Sequence, residues 1–204
     1  MNSSYSLDEY VRDLRTVTAE ETDPINIANR VAPLAKKFAQ TPGWVRPEYL
    51  ECDAEQGFGV HLLHEEPNHD LAVFVFSWLP NRGTTPHNHK TWGVVVGIEG
   101  QEQEINYDRR DDGTRPGYAD LRRGGERVMT VGDIARCYPE HIHSVRNVGK
   151  DISMSLHTYG RHINYTGRSE FDLENKREKP YAIKISLRRA RAGVDRSAQR
   201  QPSS

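Results

Sequence analysis

The chain has 204 residues, of which 35% are hydrophobic, enough for one domain with a core and a tail but short for two. Its 28 Lys and Arg residues nearly balance 29 Asp and Glu residues, so no whole-protein field favours nucleic acid or a membrane. No segment approaches the roughly 20 apolar residues of a membrane span, and the first ten residues lack the features of a secretory signal. We therefore predict a cytoplasmic protein, monomeric or a small homo-oligomer, whose partner is a small molecule. Cys52 and Cys137 are too few for a disulfide framework and are predicted to be free thiols.

The first forty residues carry helical patterns. Ser6 and Glu9 have the spacing of a capping box, and apolar residues at helical spacing follow them. This pattern predicts a first helix that ends at about Val17. A second helix is predicted to begin at Asp23, and Pro33 should break or kink it.

From about residue 58 the hydrophobic pattern changes to alternation or to short continuous runs, which is typical of strands. Turn-rich segments, including 123–125, separate these runs. Many short strands at regular spacing indicate a β-sandwich or barrel, and the two helices would pack against its outside. The predicted strands are 60–64, 71–79, 92–98, 102–107, 127–130, 134–138 and 152–159.

The last stretch, 186–204, is rich in arginine and almost free of apolar residues after Val194. We predict a single domain over 1–185, helical in 5–40 and β-stranded from about 57, followed by a disordered basic tail. An arm that contacts an acidic partner is the alternative interpretation of the same charges.

Five of the nine histidines fall into compact groups. His87 and His89 lie two residues apart, so on a strand both would turn to one face and could share one ion. By the same geometry His141 and His143 are rivals for a third ligand position, because both could face inward. Imidazole suits iron, zinc, copper and nickel alike, so these residues alone do not name the ion.

Glycines, a proline and an asparagine surround these histidines in a pattern that resembles the two cupin motifs. The resemblance implies a mainly β cupin, a jelly-roll barrel, and selects His143 rather than His141 as the ligand beside His87 and His89. Gly93 stands where the motif has a glutamate, so the metal would be held by three neutral imidazoles. Three protein ligands leave open positions, which a catalytic metal requires. The surrounding residues are Gly83, Gly93, Gly100, Gly132, Pro139 and Asn147.

A second polar group follows the last strong strand, where Ser155, His157 and Tyr159 alternate. Their spacing places all three side chains on one face. If that face is buried, the side chains must be hydrogen-bonded. A relay from hydroxyl to imidazole to phenol would satisfy them and would bring the phenol near the metal, as a donor to oxygen or substrate. A row facing solvent on an edge strand is the alternative.

Together, the segments 86–94 and 143–147 and the Ser155, His157 and Tyr159 row resemble the bacterial thiol dioxygenases. The resemblance covers about residues 33–181 and is closer to 3-mercaptopropionate dioxygenases than to cysteine dioxygenases. It implies one ferrous ion on the three histidines, a small thiol and O2 as substrates, and a sulfinate as product. It also implies that the Ser155, His157 and Tyr159 row is catalytic.

Two positions depart from this family. Gly93 stands where cysteine dioxygenases of the mammalian type have a cysteine crosslinked to the active-site tyrosine, so that crosslink cannot form here. Val60 stands where the family has an arginine or a glutamine that binds substrate, so a substrate carboxylate must be held elsewhere. Arg168 matches a carboxylate-binding arginine of the mercaptopropionate enzymes, and its planar fork suits a carboxylate. Weaker candidates are His61, Arg82 and Arg161.

Other functions remain open from the sequence. The substrate could be another small thiol, such as a mercaptosuccinate-like acid. A three-histidine cupin oxygenase or isomerase could act on an acid that is not a thiol. A non-catalytic cupin that binds a metal or ligand is the alternative outside enzymology.

Overall fold

The structure is a computed structural model that describes residues 5–186. The predicted basic tail, apart from Ser186, lies outside the described residues. Two helices come first, α1 (Leu7–Glu20) and α2 (Pro24–Ala39). Ten strands and two short 3₁₀ turns, Pro47–Leu50 and Ile163–Tyr165, follow. The strands are β1 (Phe58–Glu65), β2 (Asp70–Trp78), β3 (Gly93–Glu99), β4 (Glu102–Arg109), β5 (Leu121–Met129), β6 (Ile134–Cys137), β7 (Ile142–Asn147), β8 (Ser153–Arg161), β9 (Ser169–Asp172) and β10 (Arg177–Pro180).

Local sequence signals set the ends of both helices. The capping box is present at α1, where the Ser6 side chain accepts from the Glu9 amide and the Glu9 carboxylate accepts from the Ser6 amide. The Asp23 side chain caps α2, as predicted. However, α2 continues through Pro33 to its end, so of the predicted break or kink the break does not occur. Pro33 and Asn29 both lie on the exposed side of the helix, where water can bind the carbonyl that the proline leaves without a partner.

The strands form two facing antiparallel sheets. A five-stranded sheet has the order β1-β2-β8-β3-β6, and a three-stranded sheet has the order β5-β4-β7. The segment between β2 and β3 extends the smaller sheet, because Gly83 pairs with Arg146 and His87 pairs with His143. Strands β3 to β8 thus move back and forth between the two sheets, which is the strand order of a jelly roll. A separate pair, β9 with β10, meets this segment through the bridge between His87 and Glu170.

Four strands differ most from the sequence prediction. β7, β9 and β10 were not predicted, and β5 begins at Leu121, six residues before its predicted start. The segment 123–125 was predicted as a turn but lies inside β5. Its glycines stand where the register of β4 against β5 shifts, between Ile105 and Tyr107. A bulge of this kind accommodates the glycines within a strand.

The helices pack on the outer face of the five-stranded sheet, as predicted. Alternate residues of the strands point to this layer, and the others point into the barrel. The helical layer is also joined to the sheet by a buried hydrogen bond of 2.7 Å between the Tyr10 and Thr158 hydroxyls. The main buried members of this outer cluster are Tyr10, Leu14, Val31, Phe38, Val73, Val94, Val96 and Leu156.

Two expectations from composition can be compared with the described residues. Cys52 and Cys137 are both free, as predicted. Within residues 5–186, neither helix combines the length and apolar character needed to cross a membrane.

Candidate metal centre

Three histidines meet inside the barrel. The ring centroids of His87, His89 and His143 form a nearly equilateral triangle, with separations of 5.0 Å between His87 and His89, 4.9 Å between His87 and His143, and 5.0 Å between His89 and His143. One nitrogen of each ring lies within 4.8 Å of the others. All three side chains are buried. The residues selected at the sequence level are therefore brought to one point.

The smaller sheet and the segment that extends it position these rings in different ways. His143 lies on β7, whereas His87 and His89 belong to the extended segment between β2 and β3 rather than to a regular strand. Two backbone hydrogen bonds fix this segment against β7, from the His87 amide to the His143 carbonyl at 2.8 Å and from the His143 amide to the His87 carbonyl at 3.0 Å. The distance between two of the three candidate ligands is thus set by backbone pairing.

The hydrogen bonds of the rings suit metal binding. His87 Nδ1 lies 3.0 Å from the Thr85 carbonyl, and His143 Nδ1 lies 2.7 Å from Glu104 Oε1. In each case the partner fixes the tautomer and leaves Nε2 with its lone pair, the usual arrangement around a metal. Burial, together with the neighbouring rings, lowers the pKa of His87 and His89 well below the ordinary value. Neutral imidazoles are the form that binds a metal.

Glu104 is a site residue that the sequence analysis missed. Its carboxylate is buried between His143 and Arg127, with Arg127 Nε 2.7 Å from Oε2. Burial alone would raise the pKa of Glu104, but the hydrogen bonds and charges of these two partners outweigh it and lower the pKa to about 2. A permanent carboxylate therefore orients the His143 ring. The polar alternation of Glu102, Glu104 and Asn106 along β4 was the signal available in the sequence.

A second group of side chains could also hold a metal, formed by Cys137, His141 and His143. It shares His143 with the three-histidine cluster. The His141 ring bonds through Nε2 to Asn106 Oδ1 at 2.6 Å. Burial raises the pKa of the Cys137 thiol, and a thiol binds metal only after losing its proton. His87 and His89, whose pKa values are lowered, need no such loss, so the three-histidine cluster is the better metal site.

Gly93 lies where the cupin motif has a carboxylate, and the structure gives a steric reason for glycine. A Cβ at this position would lie 2.6 Å from two ring carbons of Tyr159. Gly93 is the backbone partner of Tyr159 across β3 and β8. The tyrosine ring therefore takes the space of a side chain at residue 93.

The polar row on β8 faces into the barrel and forms the predicted relay. Ser155 Oγ lies 2.9 Å from His157 Nε2, and His157 Nδ1 lies 2.8 Å from the Tyr159 hydroxyl. That hydroxyl also lies 3.5 Å from His89 Nε2. All three side chains are buried, so the row does not face solvent. Burial, and the charges of nearby cations, lower the pKa of His157 to about 3, so its ring is neutral.

Arg168 is buried in the same cavity, with only 3% of its surface exposed. Its guanidinium carbon lies 4.3 Å from the centroid of the Tyr181 ring, in a cation–π contact. Within the described residues its Nε and Nη2 atoms have no hydrogen-bond partner. A buried guanidinium with two free donors is a strong site for an anion, because desolvation makes its unpaired state costly.

The other residues considered for the substrate lie elsewhere. Val60 is fully buried in the apolar cluster around Tyr159 and is absent from the cavity lining. His61 bonds to the Glu51 carbonyl. Arg82 bonds to the Glu55 carbonyl, and Arg161 bonds to the Tyr165 carbonyl.

The cavity between the sheets has a volume of about 30 Å³, room for roughly two water molecules. Its polar groups come from His87, His89, His143, His157, Tyr159, Tyr181, Thr84, Glu102, Glu104 and Arg168. The remaining wall is largely apolar. Its apolar members are Phe58, Phe76, Trp78, Val95, Met129, Ala135, Val145 and Ile183.

No family model matches the chain. It is similar to an uncharacterized conserved protein with a double-stranded β-helix domain from Klebsiella pneumoniae, at 17% identity over 65% of this chain and 99% of that one, with a TM-score of 0.45. An oxalate oxidase in complex with the substrate analogue glycolate matches at 16% identity over 54% of each chain, with a TM-score of 0.42. The Cnp3 cupin domain of Schizosaccharomyces pombe matches at 11% identity over 60% of this chain and 71% of that one, with a TM-score of 0.43. The chain thus spans about half the length of the oxalate oxidase that it matches.

The strand order defines the class of the protein. The chain is a mainly β jelly-roll barrel with two helices packed outside. The barrel contains a cluster of three buried histidines that could hold a metal ion.

Proposed function

We propose that this chain is an iron-dependent thiol dioxygenase that oxidises a small mercapto acid to its sulfinate. In the overall reaction, RSH and O2 give RSO2H. Sulfur loses four electrons and O2 gains four, so no further reductant is needed. One observation carries the proposal: three histidine rings and a buried guanidinium with free donors line the same cavity.

The donor set fits a ferrous ion. When bound, the iron would supply the redox centre and open positions for an anionic thiolate and O2. The three imidazoles contribute no negative charge, so the ion would keep its full charge to attract a thiolate. The Glu104 carboxylate orients His143 from the side away from the cluster, and is not among the three grouped ligands.

The guanidinium of Arg168 would bind the substrate carboxylate. Its free Nε and Nη2 atoms form the adjacent pair of donors that matches two carboxylate oxygens. The Tyr181 ring supports one face of the guanidinium. Among the described residues that line the cavity, Arg168 is the only lysine or arginine. This favours a substrate with one carboxylate, such as 3-mercaptopropionate, over a mercaptosuccinate-like dicarboxylate.

Tyr159 would hold a proton beside the reacting sulfur. Burial raises the pKa of its phenol well above the ordinary value, so the hydroxyl keeps its proton. Its contacts with His157 and His89 place the hydroxyl beside both the relay and the histidine cluster. The apolar wall excludes bulk water, which strengthens each of these polar interactions.

The test is thiol-dependent oxygen uptake. The purified chain is loaded anaerobically with ferrous iron and mixed with cysteine, cysteamine, 3-mercaptopropionate or mercaptosuccinate, and ¹⁸O2 is then admitted. We expect the fastest uptake with 3-mercaptopropionate, and a sulfinate that carries two ¹⁸O atoms. A His87→Ala variant is the control for free iron. The absence of thiol-dependent uptake across the panel would overturn the proposal. Faster uptake with mercaptosuccinate than with 3-mercaptopropionate would make mercaptosuccinate the proposed substrate.

A further inference from the structure

The relay on β8 does not end at Ser155. Glu102, the first residue of β4, lies beyond it, and Ser155 Oγ lies 3.0 Å from Glu102 Oε2, within hydrogen-bond distance. The Glu102 side chain is buried and lines the cavity. Its Oε1 atom has no hydrogen-bond partner among the described residues. A buried carboxylate with an unpaired oxygen is costly, which favours a carboxyl that can take up a proton.

The hydrogen-bond inventory around Ser155 is restrictive. A serine hydroxyl has one proton to donate and two lone pairs. Trp78 Nε1 is a donor only, and it approaches Ser155 Oγ at 3.4 Å. The single Ser155 proton must therefore go either to Glu102 or to His157.

If Glu102 is ionised, it can only accept, so the Ser155 proton points to Glu102. Ser155 then accepts from His157 Nε2–H. The ring is neutral, so its Nδ1 accepts from the Tyr159 hydroxyl. In this state Tyr159 presents only lone pairs to the cavity.

If Glu102 carries a proton, every bond reverses. The carboxyl donates to Ser155, and Ser155 donates to His157 Nε2. The His157 proton then lies on Nδ1 and is donated to the Tyr159 oxygen. The Tyr159 proton is thereby free to point into the cavity. The two states differ by the one proton on Glu102, with His157 neutral and Tyr159 protonated in both.

We infer that Glu102 is a positioning residue whose protonation state sets the direction of the relay, and so decides whether Tyr159 donates or accepts in the cavity. Within the proposed function, the donor state is the one that can hydrogen-bond to a reacting oxygen or thiolate. This chemical consequence rests on the proposed function, whereas the direction of the relay does not.

The surroundings of Glu102 support a carboxyl that titrates near neutrality. Burial raises its pKa to about 7, even though the nearby polar side chains of Ser155, Ser153 and Trp78 lower it. Among residues 5–186, its strand partners are Met129 on β5 and Asn147 on β7, and neither is a cation. The other titratable groups on this side are His157, Tyr159 and Glu104.

The tautomer of His157 reports the direction without any metal or substrate. We would label the metal-free protein with ¹⁵N-histidine and record NMR spectra from about pH 5 to about pH 9, a range that spans neutrality. We expect the proton on Nδ1 at low pH and on Nε2 at high pH. In E102M, Ser155 can donate only to His157, so Nδ1–H should persist throughout. E102Q should also lose the pH dependence, and it serves if E102M does not fold.

E99Q is the matched control, because Glu99 is exposed at the end of β3, and it should keep the wild-type crossover. A wild-type His157 with one tautomer over the whole range would overturn the inference, as would a crossover that persists in a folded E102M or E102Q. Because the protein holds neither iron nor thiol in this experiment, its result is separate from that of the oxygen-uptake test.

Discussion

Tyr159 and His89 meet face to face in the barrel. Their ring centroids lie 5.1 Å apart with an interplanar angle of 26°, and the Tyr159 hydroxyl lies 3.5 Å from His89 Nε2. The relay on one sheet is thereby joined to the metal cluster between the two sheets. A change in the Tyr159 phenol should therefore alter the rate of the reaction but leave the three metal ligands in place.

Removing the phenol hydroxyl tests this separation. We expect Tyr159→Phe to bind iron with wild-type stoichiometry and to lower kcat by about 100-fold, at the low end of general acid–base effects. Iron content and oxygen uptake give the two numbers. Tyr165→Phe, an exposed position, is the control. Unchanged turnover in Tyr159→Phe would remove the hydroxyl from the reaction.

The choice of third ligand can be tested by paired variants. His143→Ala should lose iron, whereas His141→Ala should keep it, because the His141 ring is held by Asn106 rather than by the cluster. Metal analysis after anaerobic loading and desalting gives the answer. Loss of iron in His141→Ala as well as in His143→Ala would show that the group of Cys137, His141 and His143 is the metal site.

Glu104 should affect the affinity for ferrous iron but not the number of residues that ligate it. Because a carboxylate bonded to a ligand histidine fixes the ring and raises its basicity, Glu104→Gln should weaken ferrous iron binding by about 10- to 100-fold. The measurement is an anaerobic titration with ferrous iron against a competing chelator. Glu126→Gln, on the exposed part of β5, should bind as wild type does. Equal affinity in both variants would contradict the role of Glu104.

Arg168 should act on substrates that carry a carboxylate. A hydrogen-bonded charge is worth about 1.5–3 kcal/mol, so Arg168→Met should raise KM for 3-mercaptopropionate by about 10- to 100-fold. Cysteamine has no carboxylate, so its KM should change little. This substrate controls for damage to the site. The unfolding midpoint should not fall, because the variant removes a buried cation with two unpaired donors. A similar loss for both thiols would exclude a carboxylate contact.

Gly93 offers a steric prediction. A Cβ there would lie 2.6 Å from the Tyr159 ring, so Gly93→Ala must displace that ring and should cost about 1–3 kcal/mol in the free energy of unfolding. Gly125→Ala is the matched control, since a Cβ there has no neighbour within 4 Å among the described residues. Denaturant unfolding compares the two. Equal unfolding midpoints would mean that the barrel accommodates the added methyl group without strain.

Local signals predicted most of what could be tested in this chain. The capping box of α1 depends on residues three apart, and the β8 row depends on alternation along one strand, so both were visible in the sequence. Glu104 and Glu102 act across strands. Their partners His143 and Ser155 become neighbours only through the pairing of β4 with β7 and the facing of the two sheets. The register between strands that are distant in sequence cannot be predicted from the spacing of residues along the chain.

The strand errors have the same origin. β9 and β10 are short, polar and mostly paired with each other, so hydrophobic alternation gave no sign of them. Pro33 failed as a helix breaker because the rest of α2 buries a continuous apolar face against the sheet. Tertiary packing there outweighs one local preference.

The hydrogen bond between Tyr10 and Thr158 has a further consequence for how this molecule tolerates change. Thr158 sits between His157 and Tyr159 on β8, with its side chain on the opposite face, so the helical layer holds the back of the strand whose front carries the relay. Removal of the amino-terminal helices should therefore also disturb the barrel. Substitutions in α1, far from any substrate, should alter the chemistry of the site through this one shared strand.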